Sequence, residues 1–172
     1  MARSLWHDRS ALACTTPDII EAIKNSKLLI ERFGGWPDFD DAEIISLTLD
    51  RGNLKQVFDT QAWSEAVRPS LTAVFCVFGF PAGGGAADRK ADLITIRFTS
   101  LQRFSLDGFN YQNPIVGMEI IWERSDALNK HVFAVDWGGT FMHHEASFTC
   151  EEIEVIRVER LPASAVGRIS GA

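Results

Sequence analysis

A chain of 172 residues with a formal net charge of −6 has the length of one domain and lacks the basic balance of a nucleic-acid-binding surface. Its 46% hydrophobic and 23% charged residues allow a real core inside a soluble exterior. An acidic surface suits a basic partner through electrostatic steering, and suits cytosolic proteins in general.

Residues 1–15 carry both charges, small side chains and no sustained period, so a loosely ordered arm is expected. Residues 1–17 hold no apolar segment of signal-peptide type, and the most apolar run, 71–80, is about half the ~20 residues a membrane helix needs. A soluble, cytoplasmic protein with no membrane partner is expected. Thr16-Pro17-Asp18 reads as a helix start: a capping hydroxyl, a proline at the first helical position, an acid in the first turn. Ile19, Ile20 and Ile23 then share one face of a helix over 17–24. Asn25-Ser26 interrupts it. Residues 27–33 continue as a helical turn or begin a new one, and Gly34-Gly35 stops it.

Residues 33–51 read FGGWPDFDDAEIISLTLDR. A Gly-Gly-Trp-Pro turn leads into four acids, Asp38, Asp40, Asp41 and Glu43, of which Glu43 begins a strand of period two over 43–50. The alternation puts Ile45, Leu47 and Leu49 on one face and Ile44, Ser46, Thr48 and Asp50 on the other. Trp36 before Pro37 is held extended.

Residues 52–70 form a long connection with some helical character. Residues 71–80 are apolar on both faces, as a central strand is. The glycine-rich tip at 81–87 lacks the Lys-Ser/Thr pair of a phosphate-binding loop and reads as a hairpin turn. Further strands are expected at 92–99, 102–106, 114–123, 131–137, 145–150 and 153–159, the last two either separate or one bent strand, with a loose tail over 163–172. Short turns without long helical crossovers imply antiparallel pairing. The expected fold is a single α+β domain over 1–172, an N-terminal helix packed on a mostly antiparallel β-sheet or β-sandwich of seven or eight strands. Its core should include Ile45, Leu47, Leu49, Val74, Cys76, Phe78, Ile94, Ile96, Phe98, Ile120, Phe133, Val135, Phe148 and Val155.

Chemistry is sparse. The acids at 38–43 do not follow the calcium-loop spacing, and His143-His144 are adjacent, so a strand would point them to opposite faces. There is no nucleophile elbow, no zinc pattern and no reactive-cysteine context. No catalytic residue, metal or cofactor is therefore assigned. The segment Phe109-Asn110-Tyr111-Gln112-Asn113-Pro114 gathers three amides and a phenol between two strands. Amides of this kind satisfy backbone groups in a turn or bulge, and Tyr111 is the aromatic contact of a rival recognition loop.

The stretch WPDFDDAEIISLTLDR resembles the signature of the bacterial immunity protein 50 family, with Asp40 where the family pattern often has His. GFNYQNPIVGMEI at 108–120 and FTCEEIEVIRV at 148–158 are similar to two later family segments, in the same order. The resemblance implies a protein that neutralises a cognate bacterial toxin by binding it. The partner-binding residues expected on that basis are Trp36, Asp38, Asp40, Asp41, Glu43 and Tyr111. Two other readings stay open: a small metal-dependent or hydrolytic enzyme on a β-rich domain, and an assembly module of unknown partner. At the turn itself the plainer role is capping of backbone N–H groups, which short acidic side chains do well.

The three cysteines, Cys14, Cys76 and Cys150, are odd in number and far apart, and Cys76 and Cys150 lie in apolar strand patterns. Thiol titration of denatured, unreduced protein should count three free thiols; a count of one would reveal a disulfide.

Overall fold

The computed structural model describes residues 15–52, 68–79, 90–108, 114–126, 128–138 and 145–162. Two short helices, α1 (Pro17–Ala22) and α2 (Lys27–Phe33), precede nine strands. The strands are β1 (Ala42–Asp50), β2 (Ser70–Gly79), β3 (Lys90–Thr99), β4 (Gln102–Asp107), β5 (Pro114–Ile115), β6 (Gly117–Ser125), β7 (Lys130–Gly138), β8 (Glu145–Cys150) and β9 (Glu152–Arg160). All pairings between these strands are antiparallel, in a five-stranded sheet β5-β1-β2-β3-β9 and a four-stranded sheet β4-β8-β7-β6. The α+β antiparallel expectation holds. Residues 27–33 begin a new helix, one of the two alternatives the sequence left open, and the described residues form nine strands rather than seven or eight.

The chain crosses between the two sheets at corners. β3 passes into β4 through Ser100, whose φ of 58° is left-handed. Next to it, β8 passes into β9 through Glu151, whose N–H donates to the Thr99 carbonyl at 3.0 Å. The strand expected over 114–123 is broken at Val116, whose N–H bonds the Gly138 carbonyl, so that β5 joins the first sheet and β6 the second. Corners of this kind let one chain line both walls of a core.

That core is largely aromatic where the sheets meet. Phe75 and Phe98 come from the first sheet, Trp137 and Phe148 from the second. Trp137 lies edge-on to Phe75 at 5.5 Å and to Phe148 at 5.2 Å between ring centroids. Such offset contacts add about 0.5–1.5 kcal/mol per pair beyond the area they bury. Ile94, Ile96, Ile120, Phe133, Val135 and Val155 are buried in the same cluster, as their alternation requires.

The core expectation fails on β1. Ala42 and Ile44 are buried there, Leu47 is half-buried, but Ile45 is 43% and Leu49 58% exposed. The register with β2 slips between Ile44 and Ser46, with Ile45 as the extra residue, so the core face passes from Ala42 and Ile44 to Leu47, level with buried Ala73; Leu49, level with buried Leu71, stays exposed near the strand's end. β2 is corrected in part as well. It turns Leu71, Ala73 and Phe75 to the shared core. Cys76 and Phe78 pack instead with Ala91, Leu93 and Leu161 in a satellite cluster, and Val74 is half-buried.

Helices of six and seven residues do not persist alone, so the sheet must hold them. Between them Lys24 adds a short parallel bridge to β9: its N–H donates to the Ile153 carbonyl and its carbonyl accepts from Val155. Ile19, Ile23 and Leu29 bury into the main cluster. The expected cap at Thr16 is not made with backbone; its hydroxyl donates to the Asp18 carboxylate. From α2, Arg32 donates through Nε and Nη2 to Oδ1 of Asp92, at 2.9 and 2.6 Å, and Arg160 lies 3.6 Å from Oδ2. Asp92 is 4% exposed, so this carboxylate is stabilised by its arginines rather than by water.

Replacing Asp92 by Ala should lower stability by roughly 2–3 kcal/mol, because two charge-assisted bonds vanish and Arg32 must find water. Denaturant melts of the two proteins measure it. A loss below about 0.5 kcal/mol would mean that α2 is held without this carboxylate.

Candidate functional site

The acidic turn lies between α2 and β1. Gly34 closes α2 in the left-handed region, φ 79°, and its N–H donates to the Ile30 carbonyl at 2.8 Å. A side chain at Gly34 would meet open space, so its backbone angle, not crowding, selects glycine there. Trp36 is half-buried against the main cluster, and its Nε1 is buried with no hydrogen-bond partner among the described residues. Asp38 Oδ1 accepts the Asp40 N–H at 3.1 Å, an Asx turn. The Asp38 carbonyl accepts the Met118 N–H at 3.4 Å and lies 3.5 Å from where a Cβ on Gly117 would sit. The Phe39 carbonyl then accepts the Ala42 N–H at 3.0 Å, and β1 begins.

The residue that fixes this turn is Phe39, which the charge pattern conceals. Phe39 is fully buried at a φ of 59°, and Asp41 two positions on has a φ of 58°. Each left-handed non-glycine residue costs roughly 1–2 kcal/mol. Burying a Phe side chain contributes about 1.5–3 kcal/mol. Its ring is 5.3 Å from Phe75 and 6.1 Å from Trp36, and edge contacts of that kind add about 0.5–1.5 kcal/mol each. The two sides nearly cancel, so the turn keeps its shape only while the Phe39 ring is docked. The sequence signal was a lone aromatic between two acids.

The structure groups Trp36, Asp38, Asp40 and Asp41 in this turn, with the three aspartates exposed. Glu43 stands apart from them. It is half-buried on β1, registered against Cys76 on β2 and Pro114 on β5, and its charge helps push the Cys76 thiol up to about 11, after burial as the larger cause. Tyr111, the glycine-rich tip at 81–87, His143 and His144 lie outside the described residues. Burial raises the Cys150 thiol further than that of Cys76, so both are poor nucleophiles.

Elsewhere, Glu119 on β6 stands directly opposite Asp136 on β7, and burial raises its carboxyl above the usual range. Among the described residues no group of three or more His, Cys, Asp or Glu side chains is placed to hold a metal ion, and no helix is long and apolar enough to cross a membrane. Comparison with protein-family models, with curated proteins and with solved structures gives no match.

Phe39→Ala should destabilise the fold by about 3–5 kcal/mol, since the ring is lost and the backbone strain stays. A thermal melt is the measurement. A change under about 1 kcal/mol would show that the turn is held without its anchor.

Proposed function

We propose that this protein is a cytoplasmic immunity protein that binds and neutralises a cognate bacterial toxin, and that the turn at 38–41 forms part of the surface that meets it. The observation that carries the proposal is the acidic turn with a buried aromatic anchor. Three exposed carboxylates ride on a backbone already fixed by Phe39, by the Asx turn at Asp38 and by the bond from Met118. Charges on a preordered loop lose little entropy when a partner engages them. The motif resemblance of 33–51, 108–120 and 148–158 supplies the toxin as partner. Its chemistry would be a basic protein surface, such as that of a nucleic-acid-directed toxin, covered rather than chemically altered. Trp36, half-buried beside the aspartates, is the aromatic edge of that surface. Glu43 is a weaker candidate than the three aspartates, because it is drawn into the sheet opposite Cys76.

The turn permits a clean test. Asn at 38 keeps an oxygen for the Asp40 N–H, and Asn tolerates the left-handed backbone at 41. The triple variant Asp38→Asn, Asp40→Asn, Asp41→Asn should therefore melt within about 0.5 kcal/mol of the parent. Its association with the cognate toxin should slow by roughly tenfold or more at low salt and lose most of its salt dependence. Unchanged association in a variant that folds normally would place the toxin-facing surface elsewhere.

A further inference from the structure

Alternation along β6 turns Met118, Ile120 and Trp122 to one face, and the first two are buried. Trp122 continues the row but is 39% exposed, the one aromatic ring among the exposed large apolar side chains described. It is nevertheless fixed in place. Its cross-strand partner on β7 is buried Phe133, and the two rings stack with centroids 4.3 Å apart and planes 24° apart. One face of the indole is therefore covered, and its exposure falls on the opposite face and the rim. The His131 ring stands 6.5 Å away, tilted by 46°. α1 packs against β6 and sets the exposed Asp18 carboxylate at the indole N–H.

That carboxylate accepts from the Thr16 hydroxyl and from the indole, and these donors, Thr16 the stronger, hold it below the usual carboxylate range. Both donors are neutral. No cation partners Asp18 among the described residues. Arg124, two residues along the strand from Trp122, is drawn into the β6–β7 turn instead. Its Nη2 donates to Asn129 Oδ1 at 3.1 Å, and its Nε lies 3.9 Å from the Asp126 carboxylate. An ionised carboxylate without a counter-ion thus sits at the rim of an immobilised indole with one open face.

We propose that Trp122 and Asp18 form a binding site for an arginine side chain of a protein partner. Shape and charge together select that class. A guanidinium is planar, so it can lie on the open indole face while its N–H fork reaches the carboxylate at the rim. An ammonium is a compact, strongly hydrated point charge and uses the flat face less well. Trp is also among the residues that dominate interfaces, and a ring already held by a stack loses little freedom on binding.

The site lies on the same strand as the anchor of the acidic turn. The Asp38 carbonyl takes the Met118 N–H, and Trp122 is four residues further on, about 13 Å at ~3.3 Å per residue. A standard interface covers about 800 Å² a side, roughly 30 Å across, so one partner spans both. Identifying that partner as the toxin rests on the reading above; the chemistry of the pair does not.

The probe is acetyl-arginine amide, added to the whole protein at constant ionic strength. The indole N–H resonance of Trp122, assigned by its loss in Trp122→Phe, should shift saturably. Acetyl-citrulline amide has nearly the same shape without the charge and should move it roughly a quarter as far or less. Asp18→Asn keeps an oxygen for Thr16 and should cut the arginine response by about half or more while the stack on Phe133 stays. No response, an equal response to citrulline, or a response that survives Asp18→Asn overturns the proposal. With the cognate toxin, Trp122→Ala should speed dissociation by roughly tenfold or more and leave association nearly unchanged, unlike the aspartate variant of the turn. Should Trp122→Ala fail to fold, Asp18→Asn is read in its place and should also speed dissociation. Toxin release at the parent's rate from folded variants overturns the toxin's arginine as the occupant. A parent that binds no toxin but keeps the arginine response sinks the toxin reading and supports the site.

Discussion

The structure depends on a run of aromatic rings that begins in a loop and ends in the far sheet. Trp36 touches Phe39, Phe39 touches Phe75, Phe75 touches Trp137, and Trp137 touches both Phe98 and Phe148. Phe104 on β4 extends it through Phe148. The first member sits beside the aspartates and the last on the opposite sheet, so the turn is an extension of the core. This explains how a backbone with left-handed angles at Phe39 and Asp41 persists. The strain is local, and the burial that offsets it is shared with the whole domain.

Corners do for the sheets what the rings do for the interior. β3–β4, β8–β9 and β5–β6 each carry the chain from one sheet to the other within one or two residues. The third corner, at Val116–Gly117, receives the acidic turn through the bond between Met118 and the Asp38 carbonyl. Displacing the turn would therefore disturb the junction of the sheets.

Electrostatics act mainly at the helical side. Asp92 fastens α2 and the end of β9 from a buried position. Glu152 binds Lys24 and Arg68, and these bonds hold its carboxyl below the usual range. A carboxyl lowered in this way adds stability above its unfolded value, and that stability is lost as pH falls through the folded one. Glu152 and both partners are well exposed, so salt screens most of this contribution. Glu119 has the opposite sign. Burial raises its carboxyl, so ionising it costs stability as pH rises above the unfolded value, and Asp136 faces it across the strand pair.

The sequence by itself determined what local sterics and periodicity control. The strands came within about two residues of their bounds for that reason, as did the stop at Gly34 and the proline that opens α1. The acids at 38, 40 and 41 were legible as a turn because short polar side chains and Trp-Pro restrict the backbone there. Tertiary structure decided the rest. A strand's alternation says that two faces differ, not which one meets the core. The slip at Ile44–Ser46 left Ile45 in the open, and a second cluster captured Cys76 and Phe78. Phe39 looked like a member of a charged loop, and only the long-range approach of Phe75 makes it the anchor. Glu43 was legible as the start of the strand, and only the pairing with β2 and β5 shows what it stands against there. Contacts between residues far apart in the chain leave no period in the sequence, which is why they appear only once the sheets close on each other.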